Sequence, residues 1–343
     1  MSGTSLDGID LAEIKLILSN DKNWRFEILN ASTKPYSSLW KKKLRESALL
    51  LKEQVDVLDM EYTQYLSKVI NSFISAYKIT NLDAVCSHGH TVMHQPDEGI
   101  TLQIGNLPKL ASLISENVVC DFRTQDVLLG GQGAPLVPIG DALLFNQYDY
   151  CLNLGGFANI SFNKNGSRVA FDICPVNIVL NVYAENLGLS YDDKGSIAAS
   201  GVLDRTLLGK LNRLPFYVEV APKSLGIEWV REFVLPMLEK SSASVEDKMR
   251  TIVEHIAIQI SNQIEIGTNV LVSGGGVYNV FLMSRIQAHC KLKFVLPSNE
   301  LIEFKEALIF GLLGALKLRG AINCLASVTG AENNHSSGKI YFG

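Results

Sequence analysis

The strongest constraint on this fold is a plan of strands and helices that begins twice along the chain. Each half opens with a predicted β-hairpin, over residues 8–36 in the first half and 151–162 in the second. Apolar residues then recur at helical or alternating spacing, which predicts further helices and strands in each half. Because strands that alternate with helices are typical of α/β domains, the sequence predicts a duplicated α/β fold with two lobes and a cleft between them.

The chain of 343 residues exceeds the roughly 250–300 residues at which a single core stops growing, so two domains are expected. A Gly-Gly-Gln-Gly-Ala-Pro stretch at residues 130–135 is the best candidate for the boundary. The predicted first lobe comprises residues 1–134 together with 325–343. The predicted second lobe comprises residues 135–324.

Composition argues against several classes of function. The net charge of −4 gives no electrostatic reason to expect nucleic acid or an anionic membrane as a partner. The longest apolar stretch, residues 307–316, is about half of the roughly 20 residues that a membrane-spanning helix needs. The six cysteines are scattered without a Cys-x-x-Cys pair, which predicts a reduced cytoplasmic protein with neither disulfides nor a zinc site.

Residues 3–10 read Gly-Thr-Ser-Leu-Asp-Gly-Ile-Asp, a run typical of a phosphate-binding turn. Small residues allow backbone N–H groups to close on an anion, and the hydroxyls of Thr4 and Ser5 add donors. The carboxylate of Asp7 is close enough in sequence to hold Mg²⁺. An ordinary surface turn has the same composition, so this interpretation depends on the other motifs.

Two further glycine turns, Gly155-Gly156 and Gly274-Gly275-Gly276, lie at predicted strand ends. In a two-lobed α/β protein, such turns line the crevice in which a nucleotide binds. For each turn taken alone, the simpler interpretation is that the glycines serve only a tight bend, but the occurrence of such turns at several strand ends favours the nucleotide interpretation.

Asp172 is the candidate general base, because a carboxylate at the end of a predicted strand points into a crevice. The alternative is a helix N-cap, since Asp172 shortly precedes Pro175 and a predicted helix. Spacing alone leaves both interpretations open.

Histidines at positions 88, 90 and 94 form a second polar cluster. Their spacings of two and four, with no second ligand set, favour a polar loop that hydrogen-bonds a hydroxyl-rich ligand over a metal site. Arg123 lies between Asp121 and Asp126. This arrangement predicts either a structural ion pair or an anchor for a substrate carboxylate.

Long motifs spread over nearly the whole chain carry a resemblance to one protein family. They include residues 1–10, SHGHTV at 87–92, LQIG at 102–105, DFRTQDVLLGGQGAPLVP at 121–138, NLGGFANIS at 153–161, SGGGVYN at 273–279 and SVTGA at 327–331. In this order they resemble the anhydro-N-acetylmuramic acid kinases of the sugar kinase and actin-like ATPase superfamily. The resemblance implies a duplicated ribonuclease-H-like fold with an interdomain cleft.

The resemblance also implies a chemistry. A kinase of this family opens the 1,6-anhydro ring of its sugar with water and phosphorylates O6 with ATP and Mg²⁺, in cell-wall sugar recycling. Asp172 would activate the water, and the sugar would lie near His88, Gln103, Arg123 and Glu306. Asp7 would hold the magnesium ion. The nucleotide would be bound by Gly3, Thr4, Ser5, Leu6, Asp7, Gly8, Ile9, Asp10, Gly155, Gly156, Gly274 and Gly275.

The sequence departs from the family pattern in four places. The pattern has a strand ahead of residues 1–10, so either the natural chain begins earlier or the turn is weakly anchored. Cys174 and Val176 replace two glycines of the pattern, and residues 222–228 lack a hydroxyl and a cation that the pattern has. His90 replaces a glutamine, and residues 302–303 replace a Pro-Asp pair. These departures keep two alternatives open, a kinase for another 1,6-anhydrosugar and a catalytically weakened nucleotide-binding homologue. The resemblance further implies a homodimer.

Overall fold

The computed structural model describes residues 1–3, 6–21, 23–290 and 293–343. The strands are β1 (Gly8–Leu18), β2 (Trp24–Pro35), β3 (Val85–Cys86), β4 (His90–Gln95), β5 (Ile100–Ile104), β6 (Val118–Cys120), β7 (Tyr150–Leu154), β8 (Phe157–Lys164), β9 (Ser167–Pro175), β10 (Asn269–Ser273), β11 (Lys293–Val295) and β12 (Lys339–Tyr341). The helices are α1 (Ser38–Glu46), α2 (Lys52–Tyr77), α3 (Lys109–Ile114), α4 (Thr124–Leu128), α5 (Val137–Leu144), α6 (Asn177–Glu185), α7 (Ser196–Ser200), α8 (Arg205–Leu211), α9 (Ile227–Trp229), α10 (Leu235–Glu239), α11 (Val245–Ser261), α12 (Val280–His289), α13 (Asn299–Leu318) and α14 (Ala326–Thr329).

The chain divides into two compact units. The first comprises Met1–Leu144 and Phe304–Gly343, and the second comprises Phe145–Glu303. The predicted first lobe ended at residue 134 and resumed at residue 325, whereas the first unit ends at residue 144 and resumes at residue 304. The difference arises because α5 and most of α13 pack together in the first unit. The helices meet closely where Gly140 contacts Ile309, and the Lys305 ammonium lies 2.7 Å from the Asp141 carboxylate.

The first unit contains short sheets flanked by helices. Strands β1 and β2 form the predicted hairpin, antiparallel from Gly8 opposite Pro35 to Leu18 opposite Trp24. Strand β6 pairs in parallel with β3 and antiparallel with β12, and β4 and β5 form another hairpin. The spacing of the histidines at positions 88, 90 and 94 predicts a polar loop. That prediction is wrong for His90 and His94, which lie in β4.

The second unit contains one five-stranded sheet in the order β11-β10-β7-β8-β9. Strands β7, β8 and β9 form an antiparallel meander, while β10 pairs in parallel with both β7 and β11. A three-stranded meander extended by parallel strands on the side of its first strand is the ribonuclease-H-like arrangement. The predicted α/β fold class is therefore confirmed.

Apolar periodicity explains the elements that support these sheets. Helix α2 buries Leu58, Tyr62, Leu66 and Val69 at spacings of four and three residues, so one face packs on the first unit's core. It ends at Tyr77, and the following residue, Lys78, adopts a left-handed conformation with a φ of 54°. Strand β10 is almost wholly buried, as expected for a parallel strand covered on both faces. No described helix is long and apolar enough to span a bilayer.

Candidate active site

Asp172 lies inside strand β9, where it is partly buried. Its backbone N–H donates to the carbonyl of Lys223 (3.1 Å), and its Oδ2 accepts a 2.8 Å hydrogen bond from the N–H of Leu225. The residue that precedes α6 is Val176, so the helix-cap interpretation of Asp172 is wrong. Burial raises the pKa of Asp172 to about 6, although the Leu225 N–H opposes that shift.

The Asp172 carboxylate keeps one oxygen available. Within the described residues, Oδ1 has no hydrogen-bond partner, whereas Oδ2 is held by Leu225. A carboxylate with a pKa near 6 is mostly ionised at neutral pH, yet it is a stronger base than an ordinary aspartate. This arrangement can therefore accept a proton from a bound water or hydroxyl group.

The two glycine turns of the second unit meet at the end of strand β7. Gly155 and Gly156 join β7 to β8, and the carbonyl of Gly156 accepts hydrogen bonds from the N–H groups of Val176 and Ile178. A Cβ on Gly274 would lie 2.8 Å from the carbonyl oxygen of Leu154, so this glycine is required for the close approach. Gly275 differs, because a Cβ there would meet nothing within 4 Å.

In the first unit, His88 and Arg123 form a directly bonded pair. Arg123 Nε donates to His88 Nε2 at 2.9 Å, and His88 Nδ1 lies 3.0 Å from the carbonyl oxygen of Gly89. The imidazole therefore carries its proton on Nδ1 and is neutral. Burial, together with the positive charge of Arg123, holds the pKa of His88 well below its usual value.

Arg123 is not the ion-pair partner of Asp121 or Asp126, so the structural ion-pair interpretation is wrong. Asp121 pairs instead with Lys339 at 2.8 Å. Asp126 is fully buried and accepts hydrogen bonds from Gly133 N–H, the Thr329 hydroxyl and the Cys324 thiol. Arg123 Nη1 donates to the carbonyl of Gly133 at 2.7 Å, which leaves Nη2 without a partner among the described residues.

The two other predicted sugar-site residues differ in their surroundings. Gln103 is buried in β5 and donates to the Thr101 hydroxyl at 2.8 Å, and no hydrogen bond joins it to His88 in the described part of the chain. Glu306, on α13, keeps a solvent-accessible side chain. Partial withdrawal from water raises the pKa of Glu306, and the positive charge of Arg123 opposes that rise.

The predicted phosphate turn leads directly into strand β1. Gly3, Leu6 and Asp7 precede the strand, and Gly8, Ile9 and Asp10 belong to it. Leu6 has a positive φ of 60°, so the chain bends sharply there. Thr4 and Ser5, predicted to supply hydroxyl donors, lie outside the described residues. The carboxylate of Asp7 is exposed and accepts no hydrogen bond from the described residues, whereas Asp10 accepts one from Thr33.

Comparison with known proteins identifies the family. A family model described as anhydro-N-acetylmuramic acid kinase matches residues 1–343. The chain belongs to the anhydro-N-acetylmuramic acid kinase family. The protein of that name from Pseudomonas syringae pv. tomato is 33% identical over 375 residues, covering 99% of this chain and 97% of that protein. Its counterpart from Pasteurella multocida is 32% identical over 367 residues, covering 99% of this chain and 95% of that protein.

Two departures from the anhydro-N-acetylmuramic acid kinase pattern lie in the core of the second unit. The side chain of Val176 is fully buried, as is that of Cys174 in β9. The backbone of Val176, with a φ of −125° and a ψ of −99°, is neither helical nor extended. Residues of the second unit's core thus replace the glycines of the family pattern here.

The residues that are present suit a magnesium nucleotide. Asp7 offers an exposed carboxylate, the ligand type that Mg²⁺ prefers. Gly275 leaves open space where any other residue would place a side chain, so a phosphate can approach its backbone. The sequence indicated Asp126 only as a possible ion-pair partner of Arg123, and it gave no signal for the Asp141–Lys305 pair, because the partners of Asp126 and Asp141 are distant in the sequence.

Proposed function

We propose that this chain is an ATP-dependent kinase that hydrolytically opens 1,6-anhydro-N-acetylmuramic acid and phosphorylates O6. The product is N-acetylmuramic acid 6-phosphate, a sugar of cell-wall recycling. Family membership over the whole chain supports the reaction class. The observation that carries the assignment is the partly buried Asp172 carboxylate, held through Oδ2 and free at Oδ1.

Asp172 acts as the general base. Its Oδ1 takes a proton from water while the water oxygen forms a bond to C1 of the sugar. The C1–O6 bond breaks, and O6 takes the phosphoryl group that ATP supplies. One water, one anhydrosugar and one ATP thus give the sugar 6-phosphate and ADP, and Asp172 later releases its proton to solvent.

The remaining predicted residues position the reactants. In the first unit, the free Nη2 of Arg123 would bind the carboxylate of the sugar's lactyl group, and neutral His88 holds the guanidinium in place. Gln103 and Glu306 would bind sugar hydroxyls. Asp7 would hold Mg²⁺. The turn at residues 3–10 and the turns at Gly155-Gly156 and Gly274-Gly275 would bind the nucleotide.

Replacing the base tests the proposal directly. Asp172→Asn preserves an acceptor for the Leu225 N–H but removes the base, so turnover should fall by about 10²–10⁴-fold. Asp193→Asn, which changes an exposed aspartate of the same unit, is the matched control and should keep full activity. The product is measured by mass spectrometry, and in ¹⁸O-labelled water the ester oxygen O6 should stay unlabelled. Near-normal turnover by Asp172→Asn would show that Asp172 is not the base.

A further inference from the structure

Three metal-ligating side chains meet in the interior of the first unit. They belong to Asp126, Cys324 and His335, and one ligand atom from each lies within 4.8 Å of the other two. All three residues are buried, and none belongs to the sets proposed to bind the sugar or the nucleotide. A carboxylate, a thiolate and an imidazole are the side-chain ligands of protein zinc sites, so this cluster has the donor set of a zinc centre.

The backbone holds the three ligand residues in fixed positions. The N–H of Cys324 donates to the carbonyl of His335 at 3.1 Å, and the N–H of His335 donates to the carbonyl of Cys324 at 3.2 Å, so the two residues form an antiparallel bridge. Asn323, next to Cys324, exchanges two hydrogen bonds with the backbone of Ser337. Asp126 belongs to α4, and its Oδ1 accepts a 2.9 Å hydrogen bond from the Cys324 thiol. Tertiary contacts therefore assemble the cluster before any ion binds.

The imidazole of His335 points an unpaired nitrogen into this cluster. Its Nδ1 lies 3.0 Å from the carbonyl oxygen of Asn333, so Nδ1 carries a proton and donates it. Its Nε2 is buried and has no hydrogen-bond partner among the described residues. Nε2 lies 3.5 Å from Asp126 Oδ1, whereas an N–H···O hydrogen bond spans about 2.7–3.2 Å. A buried nitrogen and a buried carboxylate oxygen that face each other at this separation fit two ligands of one cation.

The distances suit a tetrahedral zinc ion. Bonds of about 2.0–2.2 Å to nitrogen and oxygen and about 2.3 Å to sulfur place tetrahedral ligand atoms roughly 3.3–3.6 Å apart. The separation of 3.5 Å between His335 Nε2 and Asp126 Oδ1 falls in this range. The Cys324 sulfur, at 2.9 Å from Oδ1, would move outward by about 0.6 Å when the ion replaces its proton. The Thr329 hydroxyl, 2.7 Å from the same Oδ1, is an oxygen donor available for the fourth position.

The outer contacts of the cluster are also those of a metal site. Metal-binding histidines donate their second ring N–H to an outer acceptor, and metal-binding carboxylates are themselves hydrogen-bonded. The Asn333 carbonyl is that acceptor for His335, and the Gly133 N–H donates to Asp126 Oδ2 at 2.7 Å. In the part of the chain that the structure describes, no lysine or arginine lies within ion-pair distance of Asp126. A divalent cation would balance one carboxylate and one thiolate, which leaves a neutral buried site.

We propose that Asp126, Cys324 and His335 bind a structural zinc ion. Zinc is favoured over magnesium, because a thiolate and an imidazole are softer ligands than magnesium accepts. The ion takes the place of the Cys324 thiol proton, which passes to solvent. The scattered cysteines predicted no zinc site, and the proposal departs from that prediction because 198 positions separate Asp126 from Cys324. Through Asp126, the ion would hold Gly133, whose carbonyl binds Arg123.

Zinc titration of the full chain tests the proposal. The protein is freed of metal with a chelator and titrated with Zn²⁺ against a chromophoric competitor. We expect one zinc ion per chain, and Cys324→Ala should weaken its binding by at least about 100-fold. Cys120→Ala, at another buried cysteine of the first unit, is the matched control and should keep the affinity. Zn²⁺ should also raise Tm by at least about 3 °C in the wild type but not in Cys324→Ala. These readouts do not depend on kinase activity, so they stand apart from the proposed function.

Cobalt(II) reports the ligands in the wild-type protein itself, so the test stands even where a variant fails to fold. Tetrahedral d–d bands with a thiolate-to-cobalt charge-transfer band support the site, and both should be lost in His335→Ala. Equal zinc binding by the wild type and Cys324→Ala would mean an adventitious ion only and would overturn the proposal. A folded wild type that binds neither zinc nor cobalt would overturn it as well, and His335 would then be an imidazolium beside Asp126. Circular dichroism checks the folding of each protein.

Discussion

Arg123 Nε donates a 2.9 Å hydrogen bond to His88 Nε2, which makes the imidazole an acceptor. The Gly133 carbonyl binds Nη1 of the same guanidinium. Two fixed bonds to neutral partners hold the guanidinium without neutralising its charge. The charge therefore remains available to an anionic ligand at Nη2, which distinguishes Arg123 from an arginine held in a structural ion pair.

We predict that Arg123→Lys raises KM for 1,6-anhydro-N-acetylmuramic acid by roughly 10- to 100-fold, because an ammonium lacks the fixed fork of donors. Levoglucosan has no carboxylate, so its KM should change little. Steady-state kinetics with both sugars measure the difference, and Arg213→Lys, at an exposed arginine of the second unit, is the control. An equal loss with both sugars would contradict the carboxylate-anchor role.

The raised pKa of Asp172 predicts the acid limb of the pH profile. The base acts as the carboxylate, and its ionised fraction falls as the pH drops below the folded-state pKa of about 6. We expect kcat/KM to decrease by about tenfold per pH unit below that value and to level off above it. The residual activity of Asp172→Asn should lack this limb. A wild-type profile that stays flat from pH 7.5 to pH 5 would exclude Asp172 as the titrating base.

Asp126 should be a major determinant of stability. It is fully buried and accepts from Gly133, Thr329 and Cys324, so Asp126→Ala removes the acceptor that these three donors share. We expect the free energy of unfolding to fall by about 3 kcal/mol or more, since each unsatisfied buried group costs about 1–3 kcal/mol. Thr329→Val removes a single donor and should cost only about 1 kcal/mol. Urea denaturation followed by circular dichroism compares the two, and equal losses would count against this role.

Adjacent glycines provide a matched pair for the nucleotide turn. Gly274 has a φ of 84°, and its Cβ would lie 2.6 Å from Asn153 Oδ1, so Gly274→Ala should lower Tm by several degrees. Gly275→Ala meets no protein atom within 4 Å and should leave Tm unchanged. If a phosphate lies against Gly275, the same variant should raise KM for ATP by roughly tenfold. An unchanged KM would remove Gly275 from the proposed nucleotide site.

Elements with strong local signals could be predicted from the sequence. The hairpin of β1 and β2, the long helix α2 and the strand β10 all follow from apolar periodicity. The strand His90–Gln95 was not predicted. Most of its residues are polar, so the sequence shows no alternation of apolar and polar residues there, and its pairing with β5 is a tertiary contact. The limits of the two compact units differ from the predicted domain limits, since the packing of α5 on α13 joins residues that are far apart in the chain.

The sequence by itself determined the fold class, the family and the identity of the candidate residues, because motifs and local periodicity are properties of neighbouring positions. Only the tertiary structure decided what those residues contact. Burial raises the pKa of Asp172, whose Oδ2 is bound by the N–H of Leu225 from 53 positions away. Asp126 is held by Cys324 and Thr329 from 198 and 203 positions away. Desolvation and hydrogen bonding act through space, so no short stretch of the chain encodes them.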